Sequence, residues 1–222
     1  MSVALSLLDA LPSAALAADR GGVPAALVDG LPALPPGIRL RSLSPADKEA
    51  LVRMVDRTSP ESRQARFHEP LAALPPGWAR AISNVTGRRV AVAAVVEGID
   101  HRLADQPDPA LGAPFDDEVV ALAQVEPEVG GAELAVLVED AYQRTGLGLV
   151  VVCAALVEVA RRGVPRVRAH ILPGNDGIRR LLSALELPVR RGHDDGKECW
   201  TLDISSLSGG AAPTSPVRPH HR

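Results

Sequence analysis

Aromatic residues are scarce in this chain, with two Trp, two Phe and one Tyr among 222 residues. The hydrophobic fraction is still 46%, so Val, Leu and Ala must fill the core. That length allows one domain of about 150–200 residues plus flanks. Cysteine is nearly missing too. Cys153 and Cys199 are the only two, too few and too far apart for a metal-binding spacing, and they read as buried thiols in a reducing cytoplasm. Basic runs are also lacking. With a net charge of −3 and no cluster of Lys and Arg, nucleic acid and anionic membrane surfaces are poor partners. No stretch reaches the ~20 uninterrupted apolar residues that span a bilayer. The apolar segment from Leu5 to Ala18 has no preceding Lys or Arg, and Asp9 and Pro12 interrupt it, so it does not read as a secretory leader. A soluble, cytoplasmic protein without a metal is the expectation.

What is present falls into three parts. Residues 1–36 are rich in small apolar residues and proline and read as an N-terminal extension, with Leu31-Pro32-Ala33-Leu34-Pro35-Pro36 as a linker and an amphipathic helix over about 3–18. Residues 37–206 read as one α/β domain. The tail from residue 207 is rich in Gly, Ser and Pro and reads as disordered. Within the domain, a strand over 37–43 leads to a helix opened by Ser44-Pro45-Ala46-Asp47, with serine at the N-cap, proline at the first position and an acid at the third. Ser59-Pro60-Glu61-Ser62 starts a second helix, and 78–83 a third. Val90 to Val96 is a buried strand, 100–116 a surface loop, and 119–125 and 133–138 are further strands. A helix over 147–162, a strand over 167–172, a helix over 175–185 and a closing hairpin around Asp194-Asp195-Gly196 complete the series.

The most informative stretch is residues 132–148, where an apolar strand runs through a glycine-containing turn into a helix. That order places backbone N–H groups and a helix N-terminus where they can hold a phosphate. Gly146 and Gly148 admit the anion without a Cβ in the way, and Arg144 adds charge. The dinucleotide pattern fails because Val151 occupies its third glycine position, and the nucleoside-triphosphate loop fails because Leu149 follows Gly148 with no lysine nearby. A pyrophosphate with a pantetheine arm, which is coenzyme A, suits the arrangement.

Gln143-Arg144-Thr145-Gly146-Leu147-Gly148 resembles the (Gln/Arg)-x-x-Gly-x-(Gly/Ala) signature of the GNAT superfamily of N-acyltransferases. Ser59-Pro60-Glu61-Ser62-Arg63-Gln64-Ala65-Arg66-Phe67 is similar to a Ser-Pro-Glu-Ser-x-x-x-Arg-Phe sequence common in its bacterial protein-acetyltransferase-like members. Ile171-Leu172-Pro173-Gly174-Asn175, followed by Leu181-Leu182, resembles the strand-to-helix segment whose asparagine contacts the cofactor arm. The resemblance spans about residues 37–204. It implies a GNAT fold, α+β with a central, mixed but mostly antiparallel sheet flanked by helices, and acetyl-CoA as cosubstrate. Under it, Val136, Leu137 and Val138 offer main-chain groups to the pantetheine amides. Arg144, Thr145, Gly146, Leu147 and Gly148 cradle the pyrophosphate, Gln143 fixes the turn, and Asn175 bonds the cofactor arm. Three departures stand out. Leu182 takes the place of a tyrosine that protonates the departing thiolate, Glu186-Leu187 replaces a Gly-Phe pair, and Leu149 replaces a common basic residue.

The implied reaction is attack of an amine on a thioester, with a protein lysine as the favoured acceptor and a small amine as the rival. An amine with a pKa near 10.4 is almost entirely charged at neutral pH, so a base helps. Glu133, three residues before Val136, is the first candidate, because the resemblance extends to an Ala-Glu pair that related protein acetyltransferases carry at the start of this strand; a solvated edge-strand carboxylate is its alternative. His170, on the next strand, is the second, with a structural histidine as the alternative. Tyr142 reads as packing support, Arg66 and Phe67 as support of their helix, and His68, Asp116 and Asp117 as polar surface. Two other classes remain open: a non-catalytic acyl-CoA-binding module, and an interaction domain without cofactor.

Overall fold

The computed structural model describes residues 31–96, 117–194 and 196–208. The helix expected over 3–18, the loop over 100–116 with Asp116, and the tail beyond Ser208 lie outside them. The elements run β1 (Ile38–Ser42), α1 (Lys48–Asp56), α2 (Pro60–Phe67), α3 (Pro76–Ser83), β2 (Val90–Val96), β3 (Glu118–Glu128), β4 (Gly131–Val138), α4 (Leu147–Arg161), β5 (Arg166–Ile171), α5 (Asp176–Ser183), β6 (Val189–Asp194) and β7 (Lys197–Asp203). The strands form one seven-stranded sheet in the order β1-β2-β3-β4-β5-β7-β6. Every neighbouring pair is antiparallel except β4 and β5. The order of elements agrees with the sequence reading, with shifts of one to three residues at most ends.

Alternation along the strands builds two cores. Val90, Val92 and Ala94 of β2 pack with α4 on one face, while Ala91, Ala93 and Val95 pack with α1 and α3 on the other. A strand covered on both faces has no solvated side, which is why β2 is apolar throughout. Helix α4 contributes eleven buried residues. It lies between the sheet and the segment Ser205–Ser208, so little of its circumference meets water. Both cysteines are buried free thiols, and burial pushes Cys153 up to about 12. Burial raises the Cys199 thiol as well, and both are packing residues here.

The turn into α1 is held by ions. Asp47 Oδ2 accepts hydrogen bonds from the Ser44 N–H at 2.7 Å and hydroxyl at 3.0 Å, and Arg41 forks both carboxylate oxygens, Oδ2 at 2.8 Å and Oδ1 at 2.5 Å. Asp117, read from the sequence as ordinary surface, pairs with Arg39 and Arg41 and joins this network. The correction has a simple cause: the partners lie 76 and 78 residues away in sequence. Burial raises the Asp47 carboxyl, but the bonds from Arg41 and Ser44 outweigh it and hold the group below its ordinary value. A depressed carboxyl contributes stability above its unfolded pKa, near 3.9, and that contribution is lost as pH falls through the folded value. Asp47→Asn is therefore expected to cost about 3 kcal/mol at neutral pH. The gap to the parent should narrow below about pH 4, as read by urea unfolding at both pH values.

Candidate active site

Parallel pairing between β4 and β5 covers only Ala132 with Val167 and Glu133 with Arg168. Beyond those residues the strands part. The main chain of Leu134–Val138 is then bonded on its β3 side alone, and the groups facing the split are left for another partner. A cavity of about 1420 Å³ occupies the split. Its walls include Leu134–Val138 of β4, Ala169 and His170 of β5, Leu172–Ile178, the loop at Gln143, Arg144, Gly146 and Gly148, and parts of α2 and α3.

At one end lies the turn into α4. Arg144 (φ 60°) and Gly146 (φ 87°) are both left-handed, which curls the chain tightly into the helix. The first N–H groups of α4 have no intrahelical partner. A Cβ on Gly148 would stand 3.1 Å from Leu181 Cδ1 and 3.3 Å from Val138 Cγ2, so glycine there lets α4, α5 and β4 converge. Gln143 donates to the Val138 carbonyl at 3.1 Å and to the Ser62 hydroxyl at 3.0 Å. Thr145 and Leu147 do not line the cavity. The Thr145 hydroxyl donates to the Tyr142 carbonyl at 2.7 Å, and the Leu147 side chain is core, so only their main chain is left for a ligand. Tyr142 packs on the core.

The Ser-Pro-Glu-Ser block has a mechanical role. Ser59 caps α2 and, through its N–H and hydroxyl, binds Asp140 at 2.7 and 2.8 Å; the Ser62 hydroxyl lies 2.9 Å from the same carboxylate. These bonds lower the Asp140 carboxyl despite some burial. They tie α2 to the segment that leads into the turn.

Asn175 caps α5: its Oδ1 accepts from the Ile178 N–H at 3.2 Å. Only its amide N–H groups remain for a ligand. Arg180, on the same helix, also lines the cavity. Sequence reasoning passed over it as one of a pair of arginines. Arg179 is engaged by Glu198 at 2.6 Å, and which of the pair faces the cavity depends on how α5 is rotated against the sheet. Leu182 is fully buried in the core and does not line the cavity, whereas Ile178 and Leu181 do. Leu182→Tyr should therefore supply no acid. It is expected to overpack the core and lower stability by about 1–3 kcal/mol, seen as a lower melting temperature without a gain in kcat.

At the other end Glu133 and His170 meet, with His170 Nδ1 2.9 Å from Glu133 Oε1 and His170 Nε2 3.4 Å from Asp194 Oδ2. Both candidates thus lie in one cluster on one wall. Glu133 is no edge-strand residue, since it is paired on both sides, with Glu126 and Arg168. Burial raises its carboxyl, yet the hydrogen bond and charge of His170 leave it below the ordinary value. Asp194 was missed because only the β6–β7 hairpin brings it to His170. His68, read as surface, lines the cavity, and burial lowers its imidazole. Among the described residues no group of three or more His, Cys, Asp and Glu could hold a metal, and no helix is long and apolar enough to cross a membrane.

No protein-family model matches the sequence, and no curated protein is similar to it at a significant level. Solved structures are similar in fold. The GNAT domain of S. lividans PAT superposes with a TM-score of 0.60 at 22% identity, over 75% of this chain and 90% of that one. The GNAT-family acetyltransferase from Streptococcus pneumoniae gives 0.52 at 12%, over 74% and 96%. The putative acetyltransferase yncA from Salmonella typhimurium, solved with its cofactor acetyl-CoA, gives 0.52 at 18%, over 81% and 99%. With the strand order and the split between β4 and β5, these likenesses establish that the chain has the fold of the GNAT acetyltransferases.

Proposed function

We propose that this protein is an N-acetyltransferase that moves an acetyl group from acetyl-CoA to an amine in a ternary complex. The observation that carries the reading is the split between β4 and β5, with the glycine turn into α4 at one end and Glu133, His170 and Asp194 at the other. The residues fit the cofactor. The free main chain of Val136, Leu137 and Val138 suits the pantetheine amides, in the manner of an added strand. Arg144, Gly146, Gly148, the main chain of Thr145 and Leu147, and Arg180 suit the phosphates, and the Asn175 amide suits the arm.

Acetyl-CoA would supply the thioester carbonyl: a C–N bond forms, the C–S bond breaks, and the sulfur leaves as a thiolate that takes up, through water, the proton shed by the attacking nitrogen. The amine must first lose a proton. Glu133 holds His170 through Nδ1, which leaves Nε2 as the atom that takes the proton, with Asp194 beside it to stabilise the charged ring. Both residues act from fixed strands, so the amine is positioned as well as deprotonated.

Protein lysine is the acceptor class that the Ser-Pro-Glu-Ser resemblance implies. We place the activity in the cytoplasm, where Cys153 and Cys199 stay reduced. The test is release of free thiol from acetyl-CoA against a panel of lysine peptides and small amines. Amine-dependent release is the expected result. Binding of acetyl-CoA without release from any amine would instead favour the non-catalytic module, a reading that Leu182 motivates.

A further inference from the structure

The half of the cavity facing Glu133 and His170 contains an arginine, Arg66, that makes no ion pair among the described residues. On this face of the sheet the carboxylates are taken: Glu126 by Arg89 at 2.5 Å, Glu128 by Arg168, Glu133 by His170, and Asp194 by Arg168 and His170. Arg66 comes down from α2 into the same space. It donates one hydrogen bond, from Nη2 to Gln124 Oε1 at 2.6 Å, and its Cζ stands 4.9 Å from the centroid of the Phe67 ring. Gln124 is a neutral amide, and it donates one of its own N–H groups to Glu126. A guanidinium has five N–H donors in a rigid plane, and a planar fork of this kind matches a carboxylate in two bonds. Burial lowers Arg66 to about 10, against the pull of Glu133 and Glu126. An incoming anion would offset that cost.

We propose that Arg66 receives a carboxylate carried by the acceptor. The substrates are then primary amines that also carry a carboxylate, with the ammonium at Glu133 and His170 and the carboxylate at Arg66. Two sources share this chemistry: the α-carboxylate of a free amino acid, and an acidic side chain flanking a lysine in a polypeptide. The rest of the acceptor meets an apolar wall, the Phe67 and Trp78 rings 5.8 Å apart, with Trp78 partly exposed at 41%. The inference rests on the N-acetyltransferase reading and narrows its substrate class.

The experiment compares matched acceptors on the full chain at saturating acetyl-CoA, reading thiol release. One arm is L-phenylalanine against L-phenylalaninamide. The other is a lysine peptide flanked by glutamate against the same peptide flanked by glutamine. In the arm that matches the true source, the carboxylate member is expected to be favoured about tenfold or more in kcat/KM. In Arg66→Met that preference should collapse to within about threefold, through a higher KM for the carboxylate member, while Arg66→Lys keeps part of it by keeping the charge. The comparison between parent and variant cancels the difference in amine basicity within a pair. If Arg66→Met lowers both members equally and leaves the ratio intact, Arg66 only supports Gln124 and the proposal is overturned. Thiol release without discrimination in either arm overturns this inference alone. Release from no amine overturns the enzyme reading with it.

Discussion

His170→Ala is expected to lower kcat about 10²–10⁴-fold, the usual contribution of a positioned base, with the affinity for acetyl-CoA little changed. The imidazole sits on β5 between two carboxylates, Glu133 at 2.9 Å and Asp194 at 3.4 Å. Without it the amine must lose its proton to water. Glu133→Gln should cost less, about 10–100-fold, because the amide can still accept from Nδ1 but no longer supports a charged ring. The two changes remove parts of one device, so the double variant should fall well short of the product of the single effects. Added imidazole should restore part of the rate to His170→Ala and none to Glu133→Gln. Steady-state kinetics of the three variants reads all of this. A double variant that multiplies the single effects would mean that the residues act separately, against the contact between them.

The second large effect concerns the turn before α4. Gly146→Trp is expected to abolish acetyl-CoA binding in calorimetry, and the same change disturbs the protein itself. Residue 146 is left-handed at φ 87°, a conformation that costs a residue with a Cβ about 1–2 kcal/mol. A Cβ there would also overlap the ring of Pro32, whose neighbours Leu31 and Leu34 pack on the main core. Lost binding in that variant therefore mixes a blocked site with a displaced N-terminal segment. Arg144→Ala with Arg180→Ala separates the two. Neither arginine is held in a salt bridge among the described residues, so the fold should keep its melting temperature. Loss of two charge-assisted contacts of about 1.5–3 kcal/mol each should weaken binding at least about 100-fold. The loss should shrink at high salt. Unchanged affinity in the double variant would remove the phosphates from this end of the cavity.

Much of this molecule could be read from local pattern. The strand of Val90 to Val96, the serine-proline starts of α1 and α2, and the glycine turn into α4 rest on contacts within a few residues. Hydrophobic period, capping chemistry and a left-handed glycine therefore announce them. The closeness of Glu133 and His170 was only a juxtaposition of strands, since 37 residues separate them.

Other features were decided by packing. The anchoring of Asp140 by Ser59 and Ser62 spans about eighty residues, and it gives a motif read as a clue to the acceptor a bracing role for the loop as well. Pro32 against Gly146, the pairing of Asp117 with Arg41, and the choice of Arg180 over Arg179 for the cavity depend on how helices sit on the sheet. So does the burial of Leu182, whose side was set by the rotation of α5. The sequence by itself determined the elements, their order and the glycine turn into α4, because those are short-range preferences. Where β4 and β5 part, and which charges meet in the space between them, only the tertiary structure decided, because long-range contacts form according to how whole faces pack.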